Sequence, residues 1–343
     1  MGVTIKQIAE MAGVHRSTVD KVLHKRPGVS DPVRKRVQQI IDECGYEANP
    51  IGKALQMQDK ELHIKVIFQD VDAREYLKKG IEDALKEFAS FRIVPEFVVT
   101  ASSDVAAQEM LLKACVGDGT DGIILSPVNA AEIVKAIDGC TGKKIPVITV
   151  NTDIKGSQRL CFIGQNGFRA GCVAGRLMGE FLRDEGEVVI FTSDGDNHQS
   201  FPFGTREDGF REVIGESFPG ICVSGVVQTQ EKTQVIRREM RKICEGERMP
   251  EGIFVTCGGV AAIGDVLEEY EKKGVKVVCF ESYPEILRLL KEDVVTATLD
   301  SEIEEQGKRA VEVLMDFMVY GRRPERKHLY SETRILLRES LDE

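Results

Sequence analysis

No two cysteines stand in a CxxC arrangement, no apolar run approaches the roughly 18 residues that span a bilayer, and positive charge is in the minority. Each absence removes a class. The nine cysteines are odd in number and mostly sit in apolar stretches, which reads as reduced, buried thiols rather than a disulfide framework. The start, Met1-Gly2-Val3-Thr4-Ile5-Lys6, has no apolar stretch behind a basic residue, so no secretory leader is expected and the reading is cytoplasmic, away from membranes. With Lys+Arg 46 against Asp+Glu 56, net charge −10, a uniformly basic coat is ruled out. Chemistry-bearing motifs are missing too: there is no G-x-S-x-G, H-E-x-x-H or phosphate loop, and the five histidines (15, 24, 63, 198, 328) are dispersed. No catalytic residue, metal or cofactor is expected.

What is present points to two or three domains in 343 residues, with 42% apolar residues to fill their cores. Charge is distributed unevenly: residues 1–60 carry net +3 and the remaining 283 carry net −13. An acidic body bearing a small module for a polyanion fits that asymmetry, and a merely basic globular end fits it equally well. In the first segment, Thr4 and Gln7 form a capping box, followed by Ile5, Ile8, Ala9 and Ala12 at helical spacing. Gly13 ends this helix. A second pattern runs from His15 to about Leu23 with Val19, Val22 and Leu23 on one face. Asp31 as N-cap and Pro32 open a third helix with Val33, Val37, Ile40 and Ile41 inward, and Gly45 closes it. Two short helices around a glycine, the second with a polar face, are the helix-turn-helix plan; spacing alone leaves a plain three-helix bundle open.

The run Val3-Thr-Ile-Lys-Gln-Ile-Ala-Glu-Met-Ala-Gly-Val-His-Arg-Ser-Thr-Val-Asp-Lys-Val-Leu-His24 resembles the DNA-binding headpiece of the lactose-repressor (LacI/GalR) family. The match continues without gaps through Gly28-Val-Ser30, Arg34, Val37 and Gly45-Tyr46 to Asn49. The resemblance implies double-stranded operator DNA as partner, with base edges read by Arg16, Ser17 and Lys21, and phosphates held by Thr4 and Thr18. His15, Asp20, Lys21 and His24 depart from the family's usual Ser, Ser, Arg and Asn. Lys21 lacks the fork that Arg offers guanine. Asp20 would repel phosphate and is expected to orient Lys21 or a base amino group.

Residues 46–58 contain Pro50 and Gly52 and are weak as an autonomous helix. The family's hinge pattern falls on Asn49, Gly52, Lys53 and Leu55. It implies Leu55 as a wedge in the minor groove, Lys53 beside it, and folding of this segment only on DNA. The resulting expectation is a DNA-binding domain at 1–46, a hinge helix or linker at 47–60, and a ligand-binding core at 61–343.

From His63 onward apolar runs alternate with amphipathic stretches, the runs including Lys65–Phe68, Gly122–Leu125, Pro146–Val150, Val188–Thr192 and Val275–Phe280. Strict alternation predicts an α/β fold with parallel sheets covered on both faces, and the length predicts two doubly wound lobes. Ligands bind such sheets beyond the carboxyl ends of their strands. Gly117-Asp-Gly119-Thr-Asp-Gly122 satisfies the dinucleotide fingerprint, but it leads into a strand rather than out of one. It reads as an ordinary connection.

Asp121-Gly-Ile-Ile-Leu-Ser-Pro-Val128, Ile145-Pro-Val-Ile-Thr-Val-Asn151, Phe162-Ile-Gly-Gln-Asn166, Arg206-Glu-Asp-Gly-Phe210 and Val278-Cys-Phe-Glu-Ser282 resemble the type I periplasmic-binding-protein fold in its ribose-binding-like branch. The resemblance implies ligand contacts from Asn151 and Asp153 in one lobe and from Arg206 and Glu281 in the other. Arg74 falls where an aromatic is usual and could meet an acidic ligand; Ser301 falls where Gln is usual. A sugar acid, a sugar phosphate or a polyol remain open as effectors, plain ribose being disfavoured. The lobes are expected at about 61–165 with 293–319, and 166–292 with 320–343. Together these imply a dimeric repressor-type regulator, two half-sites requiring two heads, switched by a carbohydrate-like effector. The alternative is a solute-binding protein of a sugar transport system, against which the basic N-terminal module argues.

Overall fold

The computed structural model describes residues 3–23, 26–44, 57–58, 60–193 and 203–341. His24, Asn49, Lys53 and Leu55, with the rest of the hinge pattern, lie outside the described residues. The chain divides into two compact units, Met1–Met57 and Gln58–Glu343.

In the first unit, α1 (Ile5–Ala12), α2 (Arg16–Leu23) and α3 (Asp31–Glu43) close over Ile8, Ala9, Ala12, Val19, Val22, Val37 and Ile41. These are the positions the helical spacing selects. The Thr4–Gln7 capping box forms, and Gly13 ends α1 in the left-handed region at φ 59°. The cap of α3 differs by one residue: Ser30 is the N-cap, and Asp31 sits in the first turn, where its charge favours the helix N-terminus.

The second unit holds two six-stranded sheets. The first lobe contributes β1 (Glu61–Gln69), β2 (Arg92–Thr100), β3 (Gly122–Leu125), β4 (Val147–Val150) and β5 (Cys161–Gly164). The second contributes β6 (Gly186–Thr192), β7 (Ile221–Gln228), β8 (Gly252–Val255), β9 (Lys276–Phe280) and β10 (Ala297–Asp300). Two short late strands complete them, β11 (His328–Tyr330) and β12 (Arg334–Leu336), giving the orders β11-β5-β4-β3-β1-β2 and β12-β10-β9-β8-β6-β7. All pairings are parallel except β10 with β12. The helices between strands are α4 (Ala73–Glu87), α5 (Val105–Cys115), α6 (Ala131–Gly142), α7 (Gly167–Leu182), α8 (Phe203–Ser217), α9 (Thr233–Glu245), α10 (Val260–Glu269), α11 (Pro284–Lys291) and α12 (Ile303–Met315). Central strands β3, β4, β5 and β8 are buried on both faces, so their sequences read as continuous apolar runs. β2 lies at an edge, which is why it tolerates Pro95.

Strand pairing corrects the expected lobe boundaries. β10 (297–300), expected in the first lobe, pairs with β9 in the second. β11 (328–330), expected in the second, pairs with β5 in the first. α12 returns to the first lobe and packs on α4, where a Cβ on Gly80 would lie 1.9 Å from Glu304 O. The chain therefore crosses between lobes three times, at 165–166, 301–302 and 331–333. The Gly117–Gly122 segment joins α5 to β3, as an αβ connection should. There Asp118 takes Lys65 Nζ at 2.7 Å and the Thr120 hydroxyl at 2.6 Å.

All nine cysteines are free; six are buried, and Cys222 is exposed on the edge strand β7. Burial pushes the Cys140 thiol up to about 11 and those of Cys161 and Cys279 to about 12. Among the described residues no helix is long and apolar enough to cross a membrane.

Candidate DNA-reading face and candidate ligand cleft

On α2, Val19 and Val22 are buried, which turns Arg16, Ser17 and Lys21 outward as exposed side chains; Thr18 is half-buried. His15, at the residue before the helix, caps it with its ring: Ser17 N–H donates to His15 Nδ1 (3.3 Å), and the Ser17 hydroxyl lies 2.9 Å from the same nitrogen. The imidazole thus does what the family's serine does for an orphan amide. It also engages the Ser17 hydroxyl within the head. Thr4 is engaged likewise, its hydroxyl accepting from Gln7 N–H at 3.3 Å. The structure pairs Asp20 with Arg26 at 3.3 Å, and Arg34 donates to Arg26 O at 2.8 Å, tying the segment after α2 to α3.

In the body, a cavity of about 440 Å³ lies beyond the carboxyl ends of the strands, where this sheet topology opens a crevice. Asn151, Arg206 and Glu281 line it. Asn151 follows β4 and Glu281 follows β9, corresponding places in the two lobes, and both are left-handed, at φ 64° and 74°. A non-glycine residue held there costs on the order of 1 kcal/mol or more, and such strain clusters where side chains must be aimed.

Arg206 is held through both terminal guanidinium nitrogens. Its Nη1 donates to Thr256 O (2.8 Å) and its Nη2 to Gln165 Oε1 (2.8 Å) and Glu281 Oε1 (3.2 Å). The guanidinium lies 3.7 Å from the centroid of the Phe280 ring. Close packing of α7 on α8 sets its backbone, since a Cβ on Gly171 would lie 2.0 Å from Arg206 O. Burial opposes charge on both partners, raising the Glu281 carboxyl and lowering Arg206, whose guanidinium stays charged.

The same pair reaches the lobe crossovers. Ser301 Oγ, in the second crossover, donates to Glu281 Oε2 (2.7 Å). Gln165, in the first, accepts from Arg206 and donates to Thr333 Oγ1 in the third (3.1 Å). Gln306 donates to Ser301 O (2.8 Å).

Three expected ligand residues are not brought to the cavity wall. Asp153 is buried in an ion pair with Arg159 at 2.5 Å and accepts from Thr149 at 2.9 Å, so it holds the first lobe's interior. Arg74 is drawn away by Asp70 and Glu75. Ser301 acts through Glu281. The sequence reading in turn missed Asp72, Glu231 and Tyr283, which line the cavity, and Gln165, which anchors Arg206. Gln165 and Tyr283 carry a usable signal, being polar or aromatic residues just past apolar strands. Tyr76 on α4 stacks on Tyr283 of the second lobe, with centroids 4.6 Å apart. The aromatic expected at the position of Arg74 thus stands two residues later in the helix.

A two-lobed cleft receptor in one unit and a helix-turn-helix in the other define a DNA-binding protein with a ligand-sensing body. Residues 64–322 match the periplasmic binding protein domain family, and residues 4–49 match the bacterial regulatory proteins of the lacI family. The chain belongs to the LacI/GalR family and is a DNA-binding transcriptional regulator. It is 23% identical over 336 residues to catabolite control protein A of Priestia megaterium, covering 97% of this chain and 94% of that one. It is 25% identical over 255 residues to the sucrose operon repressor of Streptococcus mutans serotype c, covering 74% and 72%. Its fold is shared with a glucose-galactose binding protein from Geobacillus stearothermophilus at TM-score 0.73 and 23% identity, covering 82% of this chain and 99% of that one.

Proposed function

We propose that this regulator binds a palindromic operator as a cytoplasmic homodimer, as a repressor, and that a carbohydrate-like effector in the cleft sets its DNA affinity. It performs no chemistry on the effector. Arg16, Ser17 and Lys21 meet base edges, while Thr4 and Thr18 hold phosphates. Ser17 and Thr4 exchange their local hydrogen bonds for DNA contacts on docking. His24, Asn49, Lys53 and Leu55 complete the interface. Affinity falls steeply with salt as phosphate counterions are released.

The observation that carries the effector half is the Arg206–Glu281 pair, which faces the cavity and is bonded to residues of the crossovers. A ligand that hydrogen-bonds this pair biases the angle between the lobes, and with it the separation of two heads in a dimer. Differential affinity for the two lobe arrangements is what shifts the population. A coupling of about 1–3 kcal/mol changes operator occupancy roughly 5- to 150-fold. In the full chain, Arg206→Ala abolishes the effect of ligand on operator binding and leaves ligand-free DNA affinity as it was. A response that survives this substitution places the effector elsewhere.

A further inference from the structure

We propose that Asp121 is a positioning residue for operator binding: it seats Lys60 and His63 against the first lobe and so fixes where the joining segment leaves the body. This rests on the reading of residues 47–60 as a hinge that meets DNA, and adds what holds that hinge.

Asp121 spends both carboxylate oxygens on the first residues of the body. Its Oδ1 takes Lys60 Nζ, and its Oδ2 accepts from His63 N–H at 3.1 Å. Its own N–H donates to His63 O at 2.8 Å. Three bonds from one residue thus tie down residues 60–63. The β1–β3 ladder begins at the next step, with Ile64 opposite Gly122, so these bonds extend it toward the hinge. Among the described residues Asp121 is the one ion-pair partner of Lys60. An exposed pair alone contributes little. Here the Asp121 side chain is only 21% exposed, and it also accepts a backbone N–H, a charge-assisted bond of the stronger kind.

The seat is backed by α12. A Cβ on Gly122, the residue after Asp121, would lie 2.9 Å from Met318 Sδ and 3.1 Å from Leu314 Cδ1. Leu314 is buried in the last turn of α12, and Met318 belongs to the π-helical turn Asp316–Tyr320 that follows it. Such turns recur at functional sites. The other end of α12 lies at the crossovers, where buried Gln306 donates to Ser301 O in the second (2.8 Å) and to Ser331 Oγ in the third (3.5 Å). Rising 1.5 Å per residue, its 13 residues span about 20 Å. One helix therefore runs from the crossovers to the back of the seat.

Freeing residues 60–63 gives the chain conformational freedom that must be lost again when two heads dock on two half-sites. Binding that needs both heads in register bears this cost, and binding to phosphates alone does not. The sign is diagnostic. Asp121 is acidic, so charge by itself makes its removal favourable to any duplex. A seat makes its removal unfavourable to the operator alone.

The test uses the full chain at one salt concentration, the duplex it selects from a randomised library, and a scrambled duplex of the same composition. Asp121→Asn should lower the ratio of selected to scrambled affinity about fivefold or more, the scale of ordering one further residue, while scrambled-duplex affinity stays equal or rises. Lys60→Gln should lower the ratio likewise, and the double variant should lose no more than the worse single one. Thermal melting monitors the fold. Where Asp121→Asn melts as the parent does, its ratio decides; where it does not, Lys60→Gln decides, since that side chain is 52% exposed. A ratio unchanged or raised in the deciding variant, or losses that add in the double variant, overturns the proposal. A full chain that selects no duplex over the scrambled one overturns the operator-binding reading, and the seat with it. A chain that selects one, and whose two variants discriminate as it does, overturns the seat and leaves that reading standing.

Discussion

In the first lobe Arg159 and Asp153 meet with side chains 5% and 3% exposed, and in the second Arg206 and Glu281 meet with 5% and 12%. Both carboxylates follow a strand of corresponding rank, β4 and β9, and from the sequence each reads as a ligand contact. Their surroundings separate them. Asp153 is closed in by Thr149, Arg159 and His328, the last bringing β11 against β5. Glu281 keeps one side on the cavity and gives the other to Ser301 at a crossover. One pair fastens a lobe, and the other lies where ligand and lobe movement meet. Identical chemistry acquires a different role from what packs behind it.

Removing one partner of a sealed pair leaves a buried charge, so Asp153→Ala should have the largest effect, about 3–5 kcal/mol of stability by denaturant titration. Arg206→Ala should cost less stability, because Glu281 is closer to solvent and its carboxyl already sits high enough to take up a proton more readily. A larger loss for Arg206→Ala would reverse the assignment of the two pairs. Gly171→Ala tests how the second pair is placed. Its Cβ meets Arg206 O at 2.0 Å, which forces α7 and α8 apart. A loss of about 1–3 kcal/mol is expected from such overpacking, together with weaker effector binding. Gly139→Ala, on α6 with open space around its Cβ, should be neutral or slightly stabilising in the same titration.

The smallest effect concerns pH. The Glu281 carboxyl is raised in the folded chain above its ordinary 4.5, chiefly by burial. Between those two values the folded chain holds a proton that the unfolded chain has lost. The contribution of Glu281 to stability is therefore complete below the ordinary value and declines as pH rises through the folded one. Glu281→Gln should remove that decline from the stability–pH curve, whereas Asp153→Asn should leave it in place. An unchanged curve for Glu281→Gln would assign the decline to another group.

Much of this molecule was legible before folding. The head's core, from Ile8 through Ile41, follows from helical spacing, and the alternating body gave its strands within a few residues. The cleft was legible in part: Asn151, Arg206 and Glu281 line it, while Arg74, Asp153 and Ser301 do not. Arg74 failed because three carboxylates, Asp70, Asp72 and Glu75, lie within one to four residues of it and two of them take it up. Asp72 and Glu231 were missed because nothing in either neighbourhood shows that 159 residues of chain return to set them against each other. The lobe boundaries after residue 293 were misplaced because β10, β11 and β12 are three or four residues long. Such short strands carry no pattern that says which sheet they join.

Local order set the rest of the division. Periodicity, caps and charge along the chain are nearest-neighbour properties, and they determined a three-helix head and two wound lobes. Which arginine seals a core and which faces a cavity depends on side chains that meet only across the lobes and crossovers. Long-range packing and desolvation decided that, and neither exists until the chain is folded.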